Sequence, residues 1–122
     1  MTSAQFIRCV RMAVYDSAVE GVLSLLEKPP GRRPSQVHVA LSQWFTQLSP
    51  DDKARVGKII ELSAGQAVFG MLTVLDGVTS IREGGEKGIL ELRDKTEGLS
   101  VLLNDPAGEP LHDLFAELVP PA

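Results

Sequence analysis

Residues 49–77 read SPDDKARVGKIIELSAGQAVFGMLTVLDG, and this stretch decides the class of fold. Ser49 suits a helix cap, and Pro50 suits the first helical position because its missing N–H would be unpaired there anyway. Asp51 and Asp52 complement the positive helix end. Beyond them Val56, Ile59, Ile60, Ser63 and Ala64 recur at helical spacing, and Ala67, Val68, Met71, Leu72 and Leu75 continue the stripe. From Ala67 to Val78 nearly every residue is apolar or small, so burial on most sides is expected. Gly65, Gly70 and Gly77 each weaken a helix by about 1 kcal/mol relative to alanine. Close approach of another helix at Gly65 and Gly70 would offset that cost. One long rod and two helices broken near Ala64-Gly65 both fit the pattern.

Upstream, Val37, Leu41, Trp44, Phe45 and Leu48 make one apolar face over Ser35–Leu48, while Gln36, His38, Ser42, Gln43, Thr46 and Gln47 are polar. This is an amphipathic helix with Trp44 as its expected core anchor. Before it, Pro29-Pro30-Gly31-Arg32-Arg33-Pro34 is a stiff basic connection between helices. The first segment, Ser3–Lys28, is helical, with Phe6, Val10, Val14, Ser17, Gly21 and Leu25 close to one stripe. A break near Asp16-Ser17 fits as well, because Ser17 can cap a second helix. Pro29-Pro30 stops the helix.

Downstream, Gly84-Gly85-Glu86-Lys87-Gly88 is a turn, and the period then changes. Leu90 and Leu92 alternate with Glu91 and Arg93; Leu99, Val101 and Leu103 follow the same period of two. Asp94-Lys95-Thr96-Glu97-Gly98 has the composition of a hairpin loop with glycine at a left-handed position. A lone hairpin is marginal in water, so its apolar face must lie on the helices or on another chain. Asn104–Gly108 is a turn. Pro110 opens a last helix with Leu111, Leu114, Phe115 and Leu118 on one side, ended by Pro120-Pro121. The expected fold is mainly α within the α+β class. Four to five helices form the core in a single domain over residues 1–122, with one C-terminal β-hairpin packed on it and a short final helix. The water-avoiding side chains from Val37 through Leu75 are expected to form its nucleus, with Trp44, Ile60 and Leu72 inside.

The chain has 122 residues, 43% apolar and 23% charged, enough for one core and unlike a disordered segment. Its twelve Lys and Arg against sixteen Asp and Glu give a net charge of −4, the wrong sign for a nucleic-acid coat. The charge is uneven. Residues 1–62 carry eight basic and six acidic side chains, net +2, whereas residues 63–122 carry four and ten, net −6. Such an acidic half attracts a basic partner. Arg8 and Arg11 interrupt the N-terminal apolar residues, so no secretory signal is expected there. Ala67–Leu75 is too short to cross a bilayer, which takes about 20 residues. A cytoplasmic protein with no membrane partner is therefore expected.

The lone Cys9 excludes an internal disulfide and a cysteine-based zinc cluster. His38 lies on the polar face of its helix. His112 and Asp113 are adjacent, and neighbours on a helix do not face each other, so they form no bidentate site alone. Glu109 and His112 have a ligand-like spacing, but Glu109 falls before the helix. No metal site and no cofactor are expected. Gly84–Gly88 lacks the spacing of a phosphate loop and leads into a strand. The two helices over 35–64 superficially suit a helix-turn-helix, but Asp51 and Asp52 would repel DNA phosphates at the approaching end. Asp76 stands out as a carboxylate inside the most apolar part of the chain, where it must be hydrogen-bonded, paired or raised in pKa. Arg82, or a basic residue of the first half, is its expected partner.

The residues point first to a small non-enzymatic protein-interaction module, a regulator or inhibitor, using its acidic C-terminal half. Arg32 and Arg33 are candidate contacts for an acidic group. An alternative is a small-ligand binder or enzyme whose pocket lies between helices and hairpin, lined by Asp76, Arg82 and His112. Homo-oligomerisation through a leftover apolar face is the third expectation.

Overall fold

The computed structural model describes residues 1–85 and 88–120, so Glu86, Lys87 and Pro121, to which a turn and a helix stop were assigned, lie outside the described residues. Thr2 and Gln5 start the first helix with a reciprocal cap: Thr2 Oγ1 accepts from Gln5 N–H at 3.1 Å, and Gln5 Oε1 accepts from Thr2 N–H at 2.8 Å. Helix α1 (Ser3–Val10) runs through a π-helical turn (Arg11–Asp16) into α2 (Ser17–Glu27), with helical dihedrals at both junctions. The expected alternative of a break at Ser17 is not what forms. Ser17 stays helical, and its hydroxyl donates to the Met12 carbonyl five residues back at 3.1 Å.

That turn rotates the inward face. One extra residue per turn displaces everything after it by about 100°. Ile7 is fully buried in α1, but from the turn onward Tyr15, Val19, Leu23 and Leu26 face inward. Val14, Ser17 and Gly21, placed on the inner stripe by uniform periodicity, are exposed.

Ser35 and Ser49 cap their helices, accepting from His38 N–H at 3.2 Å and Asp52 N–H at 3.1 Å. Helix α3 (Gln36–Thr46) packs on α2 through Ser42 and Phe45, and Lys53 Nζ stands over the Phe45 ring at 5.7 Å. Trp44 is 53% exposed and anchors nothing. One residue separates it from Phe45, about 100° round the helix, and α3 covers a single stripe. Helix α4 (Pro50–Leu75) is one unbroken rod of 26 residues. It ends in a Schellman turn: Gly77, at φ +78°, donates to the Val74 carbonyl, and Val78 donates to the Thr73 carbonyl. Gly65 meets Tyr15 and Val119 at ordinary contact distance, whereas nothing approaches Gly70.

Strands β1 (Arg93–Thr96) and β2 (Leu99–Leu102) pair antiparallel with Thr96 opposite Leu99. The loop is therefore two residues, Glu97-Gly98, both at positive φ, and not the five from Asp94 to Gly98. Asp94, Lys95 and Thr96 belong to the ladder. Leu90 and Leu92 precede the strand; the ladder reaches Leu92 through one bond from Leu103 N–H at 2.8 Å. Leu103 is buried, while Leu99 and Val101 on the outer part of the hairpin are exposed.

The described residues thus form four helical rods, α1–α2, α3, α4 and the final α5 (Leu111–Leu118), with one hairpin. Their main core is Ile7, Leu72, Leu111 and Phe115, with Phe6, Val68, Phe69, Leu75 and Leu118 packed around it. It lies where α1, the C-terminal half of α4 and α5 meet. The expected nucleus from Val37 to Leu75 is only half realised: Leu72 is inside and Ile60 half-buried, but Leu41, Ile59, Leu62 and Met71 are exposed. Helix α4 also passes, by length and composition, as able to cross a membrane, its most apolar 18-residue window having a mean hydropathy of 1.3, where Ala67–Leu75 alone is too short. A mostly buried core helix passes the same test, and 11% of this window is buried.

Candidate functional site

Two helix ends meet at Asp76. It is the C-cap of α4, where the helix dipole disfavours a carboxylate, and it faces the N-terminus of α5, where the dipole favours one. Pro110 occupies the N-cap of α5 and supplies no side-chain cap. Asp76 takes that role from the neighbouring helix: its Oδ2 accepts from the His112 backbone N–H at 2.9 Å. The same oxygen pairs with His112 Nδ1 at 2.6 Å. An ionised carboxylate only accepts, so Nδ1 carries the proton, and the short distance suits a charge-assisted bond. His112 Nε2 lies 3.4 Å from Asp113 Oδ1, and the ring stands edge-on to Phe69 with centroids 5.5 Å apart. The Asp76 side chain is only 7% exposed and that of His112 15%.

A carboxylate that fixes a histidine tautomer is an arrangement used in proton transfer. Among the described residues no hydroxyl or thiol hydrogen-bonds to His112, and no group of three His, Cys, Asp or Glu is placed to hold a metal ion. The pair holds α4 to α5. Asp76→Ala is expected to lower unfolding free energy by about 2 kcal/mol, since it strands a part-buried backbone N–H and a ring N–H. Urea unfolding followed by circular dichroism measures it; a loss below about 0.5 kcal/mol would leave the residue free for another task.

Next to Asp76 a cavity of about 340 Å³ lies between the end of α4 and the base of the hairpin. Arg82 borders it with Asp76, Thr79 and Asn104; His112 does not. Arg82 is exposed and forms no ion pair with Asp76; its guanidinium lies against Gly88, where a Cβ would meet it at 2.9 Å. Of the three residues expected to share a pocket, the structure brings Asp76 to His112 and Asp76 to Arg82, but not all three to one surface.

Behind the cavity Asn104 is a buried clamp. Its Oδ1 accepts from Leu92 N–H at 2.8 Å, and its Nδ2 donates to the carbonyls of Leu75 at 2.6 Å and Leu90 at 2.8 Å. It joins α4, the approach to β1 and the exit from β2. In the sequence it reads only as the start of an Asn-Asp-Pro turn, and no local signal marks it.

Arg32 and Arg33 are exposed in the connection between α2 and α3, with no ion-pair partner among the described residues. Glu109, just before α5, and Asp113 and Glu117 on it recur every four residues and are exposed. A hydrogen bond to Glu117, then its charge, holds the Glu109 carboxyl above its ordinary pKa. No family model, no curated protein and no solved structure matches this chain.

Proposed function

We propose that this is a non-enzymatic protein-interaction module, a cytoplasmic regulator or inhibitor whose partner presents an apolar patch to the α3–α4 surface and basic residues to the acidic C-terminal half. The observation that carries this reading is apolar surface left uncovered on α3 and α4. Val37, Leu41 and Trp44 make an exposed i, i+4, i+7 stripe on α3, and Ile59 and Leu62 are exposed on α4. Isolated exposed leucines are ordinary, but aligned sets on successive helices suit an interface. Trp44 has the chemistry of a hot-spot residue. The acidic half supplies the sign of the partner, and nothing in this reading involves nucleic acid or a bilayer.

Affinity capture from the native host, with wild type beside Trp44→Glu, tests the proposal. One dominant basic protein should be retained by wild type and lost by the variant, with stability changed by less than about 0.5 kcal/mol. Binding should weaken as salt rises. It should also tighten as pH climbs from the ordinary carboxylate value upward. The free protein holds the Glu109 proton unusually firmly because of Glu117, a cationic partner favours the ionised form, and docking therefore expels the proton. Equal capture by both proteins, or binding that is indifferent to salt and pH, would overturn the reading. A second copy as the sole partner, seen by light scattering, would replace it with homo-oligomerisation.

A further inference from the structure

We propose that the hollow between the π-helical turn, α4 and α5 binds a small hydrophobic cation, an amine carrying an aromatic or short alkyl body. The hollow holds about 330 Å³, a ligand-sized space, and Leu62, Phe69, Phe115 and Val119 line it. At Tyr15 and Glu61 it adjoins a second hollow of about 360 Å³. That second space has Asp16, Glu20 and Glu61 on its walls, with Arg11 as the one cation lining it among the described residues. Arg11 is already engaged with Asp16 at 4.0 Å. Lys58 approaches Glu61 from outside at 3.4 Å, as an exposed pair of little strength. An apolar chamber therefore leads into an anionic vestibule, and the ligand that complements both has a greasy body and a positive head.

Two further features agree. Tyr15 stands at the junction, edge-on to Phe115 with centroids 6.0 Å apart, and it is the π-turn that points it there. Burial first, then the Glu61 and Asp16 carboxylates, hold its phenol above the ordinary pKa, against Arg11 and Lys58. Aromatic faces also attract cations. On the floor, Gly65 has no Cβ; an added one would meet Tyr15 Cε2 at 3.7 Å and Val119 Cγ1 at 3.9 Å. Packing thus tolerates a methyl there, and any longer side chain enters the chamber.

The test uses 2-phenylethylamine, 3-phenylpropanoate and ethylbenzene, titrated against the full chain and followed by proton and carbon shifts of Tyr15 and Phe115. The amine should saturate with a Kd of about 1 mM, normal for so small a ligand. The anion should bind at least about tenfold more weakly. Glu61→Gln should weaken the amine about three- to tenfold while leaving ethylbenzene unchanged. Gly65→Leu should abolish binding of both, and it replaces glycine with a better helix former. If Gly65→Leu lowers the melting temperature, Ala116→Met fills the chamber from the α5 wall instead. The proposal is overturned if amine and anion bind alike, if the amine fails to saturate by about 10 mM, or if either filled variant that stays folded binds as wild type does.

Discussion

Phe115→Ala is expected to lower the unfolding free energy by about 3–5 kcal/mol, the largest effect of any single truncation in this chain. The phenyl group is 1% exposed and lies at the one place where α1, α4 and α5 converge, against Ile7, Leu72 and Leu111. Its ring also supports Tyr15 from the side. The cavity left behind cannot collapse easily, because three separate helices would have to move inward together. Whole domains are stable by only about 5–15 kcal/mol, so the variant is expected to be partly unfolded at 37 °C. Urea titration should show a lower midpoint with an unchanged slope. A loss smaller than about 1 kcal/mol would mean that the core lies elsewhere, for instance in the α2–α3 contact around Leu26 and Phe45.

Asn104→Ala should come second, at about 3 kcal/mol. The alanine variant leaves the Leu92 N–H and the carbonyls of Leu75 and Leu90 without their partner. Unpaired buried groups cost about 1–3 kcal/mol each, reduced here because water reaches exposed Leu90. Asn104→Asp separates hydrogen bonding from packing. It keeps the volume and the acceptor for Leu92 N–H, but it turns two donated bonds into carboxylate–carbonyl contacts. It should therefore be at least as damaging as alanine near neutral pH. If the aspartate variant is as stable as wild type, Asn104 is filling space and not clamping. In hydrogen exchange, the alanine variant should deprotect Leu92 and Leu103 before the α4 amides.

Where the cues were local, the helices could be read directly. Ser35, Ser49 and Pro50 carry their own capping chemistry, and the start of α4 falls where they put it. The hairpin was legible as a change of period, but its turn was not, because Asp94, Lys95 and Thr96 look like loop residues and instead pair with Val101, Ser100 and Leu99. The facing of side chains failed for a specific reason. Uniform periodicity cannot anticipate one extra residue in the π-turn, so it gives Val14 and Gly21 the inward positions that Tyr15 and Leu23 hold. Trp44 and Phe45 share the apolar face that the sequence shows, and which of two adjacent apolar residues faces inward depends on where α2 lies. Asp76 and His112 each drew notice, one for its apolar setting and the other for its ring. Their contact across 36 residues belongs to tertiary structure and leaves no mark in either local pattern. Tyr15 and Asn104 drew none.

The hydroxyl of Ser3 donates to the Leu103 carbonyl at 2.6 Å, and Ile7 is enclosed by Leu111 and Phe115. During synthesis, then, the earliest helix waits for the latest one. While α5 is still being made, the apolar flank of α4 lacks its cover, and contacts so far apart in sequence are the last to form.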